Sequence, residues 1–152
     1  MPQIKVETQI RAPLQKVFDA ARDVETHTRT TSHTREKIVG GRSSGWLQLG
    51  DEVTFEATHF FVRQQLSARI VEMNVPHSFV DEMLSGAFQS LRHEHRFKTI
   101  GNATQMTDVL TWTAPLGVIG NIADGLFLKR YMTRFLIRRN RELKRIIEAQ
   151  TL

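Results

Sequence analysis

Ile4, Val6, Thr8 and Ile10 fall at every second position, the pattern of a strand buried on one face. Ala12-Pro13 then opens a helix, with proline near the first turn where its missing N–H costs little. Leu14, Val17, Phe18 and Ala21 share one face of that helix. Asp23–Ser32 is polar and threonine-rich and reads as a second short helix or a loop. From there to Thr113 the spacing is that of strands and turns. The segments are Thr34–Val39, then Asp51–Phe61 and Val62–Met73 as a long hairpin candidate, then Ser78–Leu84, Phe88–Ile100 and Thr104–Thr113, with glycine-, proline- or asparagine-bearing turns between the others. Pro115 ends the run, Gly117 and Gly120 loosen the next few residues, and Leu126–Ala149 contains neither proline nor glycine. In it Leu128, Met132, Phe135, Leu136, Leu143, Ile146 and Ile147 recur at helical spacing. The predicted architecture is α+β. A curved antiparallel sheet of about six or seven strands wraps around one long C-terminal helix, with two short helices after the first strand. Residues 1–152 read as a single ligand-binding domain.

The two faces of Phe88–Ile100 differ sharply. Its even positions Ser90, Arg92, Glu94, Arg96 and Lys98 must meet water, because burying that many charges unpaired is prohibitive. Leu91, His93, His95 and Phe97 therefore point inward. A simple hairpin register through Ser85-Gly86-Ala87 adds His77, Phe79, Asp81 and Met83 to the inner face. Pairing across Gly101 is expected to put Val109 and Thr111 inside and Asp108 outside, near Arg96. In Asp51–Phe61, residues Val53, Phe55, Ala57 and His59 share a face and bring a fourth histidine towards the interior. Val62–Met73 has polar residues at both parities and cannot be oriented from its pattern. The inner set is mostly apolar with a few polar groups, the usual make-up of a small-molecule cavity beneath the helix.

Composition changes this picture only by exclusion. Of 152 residues, 40% are hydrophobic and 24% charged, ordinary for a globular chain. The absence of cysteine removes a disulfide scaffold, a thiolate metal site and a cysteine nucleophile. No apolar run is long enough to span a bilayer and the N-terminus lacks signal-peptide character, so the expected location is cytoplasmic. The net charge of +5 is local: residues 126–150 carry +6 and the remainder −1. No aromatic platform accompanies these cations, so nucleic acid is not an expected partner. The helix's apolar stripe is claimed by the sheet, which leaves transient contact with a membrane surface rather than insertion.

Phe79-x-Asp81-x-Met83, Gly86-x-Phe88, His93-x-His95-x-Phe97, Thr104, Asp108 and Pro115-x-Gly117 resemble a bacterial branch of the SRPBCC superfamily. That superfamily includes START domains, polyketide cyclases and proteins like the plant pollen allergens. The resemblance covers essentially the whole chain. It implies a helix-grip fold with a deep pocket under the last helix, but no catalytic set, because members with this fold do unrelated things. It leaves Gly86 and Phe88 as turn and packing positions and Asp81, His93 and His95 as the polar pocket candidates.

His93 and His95 could move protons near neutral pH with Asp81 orienting one of them, or could be buried core histidines held by hydrogen bonds. His-x-His with Asp81 or His59 is also a possible metal set, but one such pair is a weak signal, so neither metal nor cofactor is expected. The candidate ligand-binding residues are Phe55, His59, His77, Phe79, Asp81, Met83, Leu91, His93, His95, Phe97, Val109 and Thr111. The expected function is to bind, and to transport or sense, a small hydrophobic or aromatic molecule, with entry gated at Gly117–Gly125. The alternative is an enzyme like the polyketide cyclases and dehydratases, using a pocket histidine for proton transfer.

Overall fold

The computed structural model describes residues 2–114 and 121–150, the side chains of 121–124 excepted. Pro115, Gly117 and Gly120 lie outside the described residues. Strand β1 (Gln3–Ile10) leads into helix α1 (Leu14–Ala21), which follows Pro13 and buries Val17 and Phe18. Helix α2 (Val24–Thr30) starts at Asp23, whose carboxylate accepts the Thr26 N–H at 2.8 Å and caps the free helix end. A 3₁₀ turn, Ser32–Thr34, takes the place of the expected strand start at Thr34, so β2 is Lys37–Gly41.

Five more strands complete the sheet: β3 (Glu52–His59), β4 (Val62–Asn74), β5 (Ser78–Ser85), β6 (Ser90–Ile100) and β7 (Ala103–Thr113). All seven form one antiparallel sheet in the order β1-β7-β6-β5-β4-β3-β2, and the long helix α3 (Asn121–Gln150) closes its concave side. This is the helix-grip fold.

Phe18 anchors the core where α1 meets the sheet. Its ring meets the edges of Phe79 at 5.6 Å and Phe97 at 5.3 Å, amid Ile10, Met106, Leu143 and Ile147. Burying one such side chain completely contributes about 1.5–3 kcal/mol. A second cluster, Ile4, Leu110, Trp112 and Leu136, packs near the middle of α3. The last turns of α3 are thus pinned by Leu143, Ile146 and Ile147, while Leu126 and Phe127 near its start are more than half exposed.

Two registers decide what faces inward. The turn at Gly101, where φ is +58°, pairs Ile100 with Ala103, so odd residues of β6 match even residues of β7. Thr104, Met106, Asp108, Leu110 and Trp112, all buried, are therefore the inward set. Val109 and Thr111 point to the outer face, beside Arg92, Glu94 and Arg96, which corrects the expectation that they line the interior. Asp108, expected outside, has no exposed surface. In β4, an irregularity between Ile70 and Glu72 moves the inward position from even residues (Ala68, Ile70) to Met73, which pairs with Phe79. A bulge of this kind explains why no single parity of that strand is apolar.

Candidate functional site

A cavity of about 360 Å³ lies between the sheet and the first half of α3. Its wall is largely apolar: Val53, Phe55, Ala57, Leu66, Ala68, Leu91 and Leu110 from the sheet, facing Leu128, Met132 and Phe135 from α3. His59, Phe79, Asp81, His93 and His95 also line it, so seven of the twelve candidates sit on this wall.

The other five do not. His77 belongs to the exposed turn before β5, where its N–H donates to the Asn74 carbonyl. Phe97 points inward but is buried under Phe18, in the core rather than on the cavity wall. Met83 pairs with Ala68, and its side chain packs where a Cβ on Gly86 would stand, 2.9 Å from the sulfur, outside the cavity lining. Val109 and Thr111 are on the far side of the sheet.

The polar part of the wall is a connected network. Asp81 and His93 are cross-strand partners, as are Phe79 and His95. Asp81 Oδ2 accepts from His95 Nε2 at 2.9 Å, and Asp108 Oδ1 accepts from His93 Nε2 at 2.7 Å. Asp108 also accepts from Arg139 Nη2 at 3.1 Å and from Asn140 Nδ2 at 2.7 Å. Four donors or near-donors thus converge on one buried carboxylate. The fourth, His95 Nδ1, lies 3.3 Å from Asp108 Oδ1 without the alignment of a hydrogen bond, so that contact is electrostatic only. The His95 ring stacks on Phe79 at 4.1 Å and on His93 at 3.7 Å.

This geometry separates the titrations of the two histidines. Burial, then the neighbouring His95, lowers His93 to about 4, so His93 is neutral and donates through Nε2–H. Burial also opposes charge on His95, but Asp108 and Asp81 outweigh it and raise its pKa. The proton available to the stacked pair therefore rests on His95. Burial disfavours an ionised Asp108, yet Arg139 and the two histidines hold it well below the ordinary carboxylate range. Asp81 is lowered in the same way, with His95 overcoming burial.

Asp81, His93 and His95 bring one ligand atom each within 4.8 Å of one another. They make a poor metal set. Both Nε2 atoms are engaged by carboxylates, and the rings are stacked with centroids 3.7 Å apart and planes tilted by 25°, so their in-plane nitrogen lone pairs do not converge on one ion. The arrangement suits holding a proton, not a cation.

A second polar group also lines the cavity. His27 of α2 pairs with the buried Glu36 at 3.0 Å, Thr31 donates to the same oxygen at 2.9 Å, and the His27 ring lies 4.6 Å from that of Phe55. His59 shares a hydrogen bond with the Tyr131 hydroxyl, and burial lowers the one and raises the other, leaving both neutral. Sequence reasoning missed Asp108, Arg139, Asn140, His27, Glu36 and Tyr131. One signal was present: Arg139 and Asn140 interrupt the apolar stripe between Leu136 and Leu143, at positions that face the sheet.

A family model described as polyketide cyclase/dehydrase and lipid transport matches residues 10–135, from the end of β1 into α3. The chain belongs to that family. No curated protein matches the chain. Among solved structures, TTHA0849 from Thermus thermophilus is similar over 99% of this chain and 100% of its own, at 15% identity and a TM-score of 0.81. Ms6760 from Mycobacterium smegmatis covers 97% and 92% at 16% identity and a TM-score of 0.73. The major latex-like protein 151 of Panax ginseng covers 94% and 95% at 15% identity and a TM-score of 0.64. At these identities the likeness is one of fold, the SRPBCC helix-grip fold that the family match also indicates. Among the described residues, no helix is long and apolar enough to cross a membrane.

Proposed function

We propose that this family member binds a small, largely apolar or aromatic molecule carrying a hydroxyl or amine donor, and carries or senses it. The observation behind the reading is an apolar cavity of about 360 Å³ with unused hydrogen-bond acceptors on one wall. Pockets for small ligands start at about 300 Å³ and combine such walls with a few polar groups. His93 donates through Nε2, so its Nδ1 is left as an acceptor without a partner among the described residues. Asp81 uses one carboxylate oxygen for His95 and keeps the other, with 28% of its side chain exposed. A phenol or enol would donate its one O–H to either acceptor, and a primary amine or a vicinal diol could donate to both, while the carbon frame displaces water from Leu66, Leu91 and Leu110.

A second reading has its own support. Two imidazoles in stacked contact whose titrations are driven apart, His93 down and His95 up, is how acid and base roles are assigned in proton-transfer sites. In an enzyme like the cyclases or dehydratases, His95, held by Asp81, would be the acid.

Filling the cavity tests the first reading. Ala68→Phe places a ring in the void from a buried position on its wall. The fluorophore N-phenylnaphthylamine, apolar with one N–H donor, should bind the wild type and bind the variant about tenfold more weakly or worse. Equal affinities would show that the cavity is not the binding site. Turnover of a bound molecule, lost in His95→Asn with its binding retained, would favour the enzyme.

A further inference from the structure

The tip of the β3–β4 hairpin is built against local preference. His59 pairs with Val62, so Phe60 and Phe61 form a two-residue loop, and both have positive φ, 53° and 64°. Such a loop selects Asn-Gly, since bulky side chains are strained there. Phe60 is held by ring contacts with Tyr131 at 4.4 Å and Phe127 at 5.6 Å. Phe61 is held by nothing of the kind, and its relative exposure is 103%. Val62, Leu126 and Phe127 are more than half exposed. The Phe60–Phe127 contact makes these side chains one apolar end of the molecule, and Phe60, Leu128 and Tyr131 also line the cavity.

Cations flank this end. Leu126, Arg130 and Arg134 succeed one another at i, i+4 and i+8 on the exposed side of α3, with Lys129 beside them. No acidic residue occurs from Gly125 to Arg141. Lys129, Arg130 and Arg134 have no ion pair among the described residues, whereas Lys144 and Arg145, further along, pair with Glu148 and Glu142. Three cations without an ion pair among the described residues thus stand beside the end where the apolar side chains project.

We infer that this end docks on an anionic lipid bilayer, with Phe61, Val62 and Phe127 in the interfacial layer and Lys129, Arg130 and Arg134 on the headgroups. A protruding ring on a turn, wholly in solvent, offers a partner protein no concave surface to close on, but it enters a fluid interface directly. The apolar stripe of α3 remains on the sheet, so docking needs no unfolding of the grip. Because Phe60, which contacts Phe127, also lines the cavity, docking would set that part of the cavity wall towards the bilayer.

Flotation with vesicles of phosphatidylcholine, with and without phosphatidylserine, tests this. Wild type should bind the anionic vesicles, and binding should fall as salt is raised from about 0.1 M to about 0.5 M. Phe61→Gly gives that positive-φ position the residue it prefers and removes no ring contact, so Tm should rise by roughly 2–4 °C. The same variant should bind vesicles roughly tenfold more weakly or worse, since the Phe61 ring leaves the interface. Lys129→Glu/Arg130→Glu should abolish the preference for anionic vesicles. Ala68→Phe should bind vesicles as wild type does, which separates docking from cavity occupancy. No wild-type flotation, or equal flotation of the hairpin variant, would overturn the inference. So would a wild-type dimer, made monomeric by the hairpin variant, that ignores vesicles.

Discussion

Replacing His93 with glutamine should remove much of the protein's sensitivity to mild acid while sparing its stability at neutral pH. Glutamine Nε2 can donate to Asp108 Oδ1 as His93 Nε2 does at 2.7 Å, and it has no proton to gain. Burial and the adjacent His95 hold wild-type His93 at about 4, against 6.5 in the unfolded chain. Between those values the unfolded chain takes up a proton that the folded protein refuses. Stability therefore falls as pH drops from 6.5 towards 4, at roughly 1.4 kcal/mol per pH unit, or about 3 kcal/mol in all. The side chain is 11% exposed, so solvent screening takes little from that figure. Urea denaturation of wild type and His93→Gln across this range isolates the effect, because other acid-sensitive groups, including His33 and His59, are common to both proteins. Wild type should lose about 3 kcal/mol more than the variant. Parallel curves, within about 0.5 kcal/mol, would refute a buried neutral His93.

Asp108→Leu should cost about 3–5 kcal/mol because it strands the buried Arg139, and Arg139→Leu should cost a similar amount. The double variant should cost at least about 2 kcal/mol less than their sum in thermal or urea unfolding. Phe18→Ala, at a position with no exposed surface, should cost about 3–5 kcal/mol by the same measurement. Glu36 is held below the ordinary carboxylate range by His27 and Thr31 against its burial. Glu36→Gln should therefore cost about 1–3 kcal/mol at neutral pH. That cost should shrink as pH falls through the lowered carboxyl pKa, seen as convergence of the wild-type and variant curves.

The sequence alone determined the element order, because period-2 and helical spacings are local and survive without tertiary information. It also determined the inner face of β6, because Arg92, Glu94, Arg96 and Lys98 leave that strand only one orientation. That Phe79 and Asp81 share this face followed from parity across a hairpin, but only the structure set them opposite His95 and His93. Only the tertiary structure decided β7, since pairing Ile100 with Ala103 sets Asp108 rather than Val109 opposite the inner face. The irregularity in β4 is likewise invisible to a periodicity, because it changes the inward parity partway along the strand. Arg139 and Asn140 were legible as a break in an apolar stripe, but their meaning was not. A buried cation and amide are tolerable only opposite a carboxylate such as Asp108, and that carboxylate comes from a strand 31 residues away from Arg139 in the chain. Long-range pairing, not local pattern, turned scattered polar residues into one network on a cavity wall.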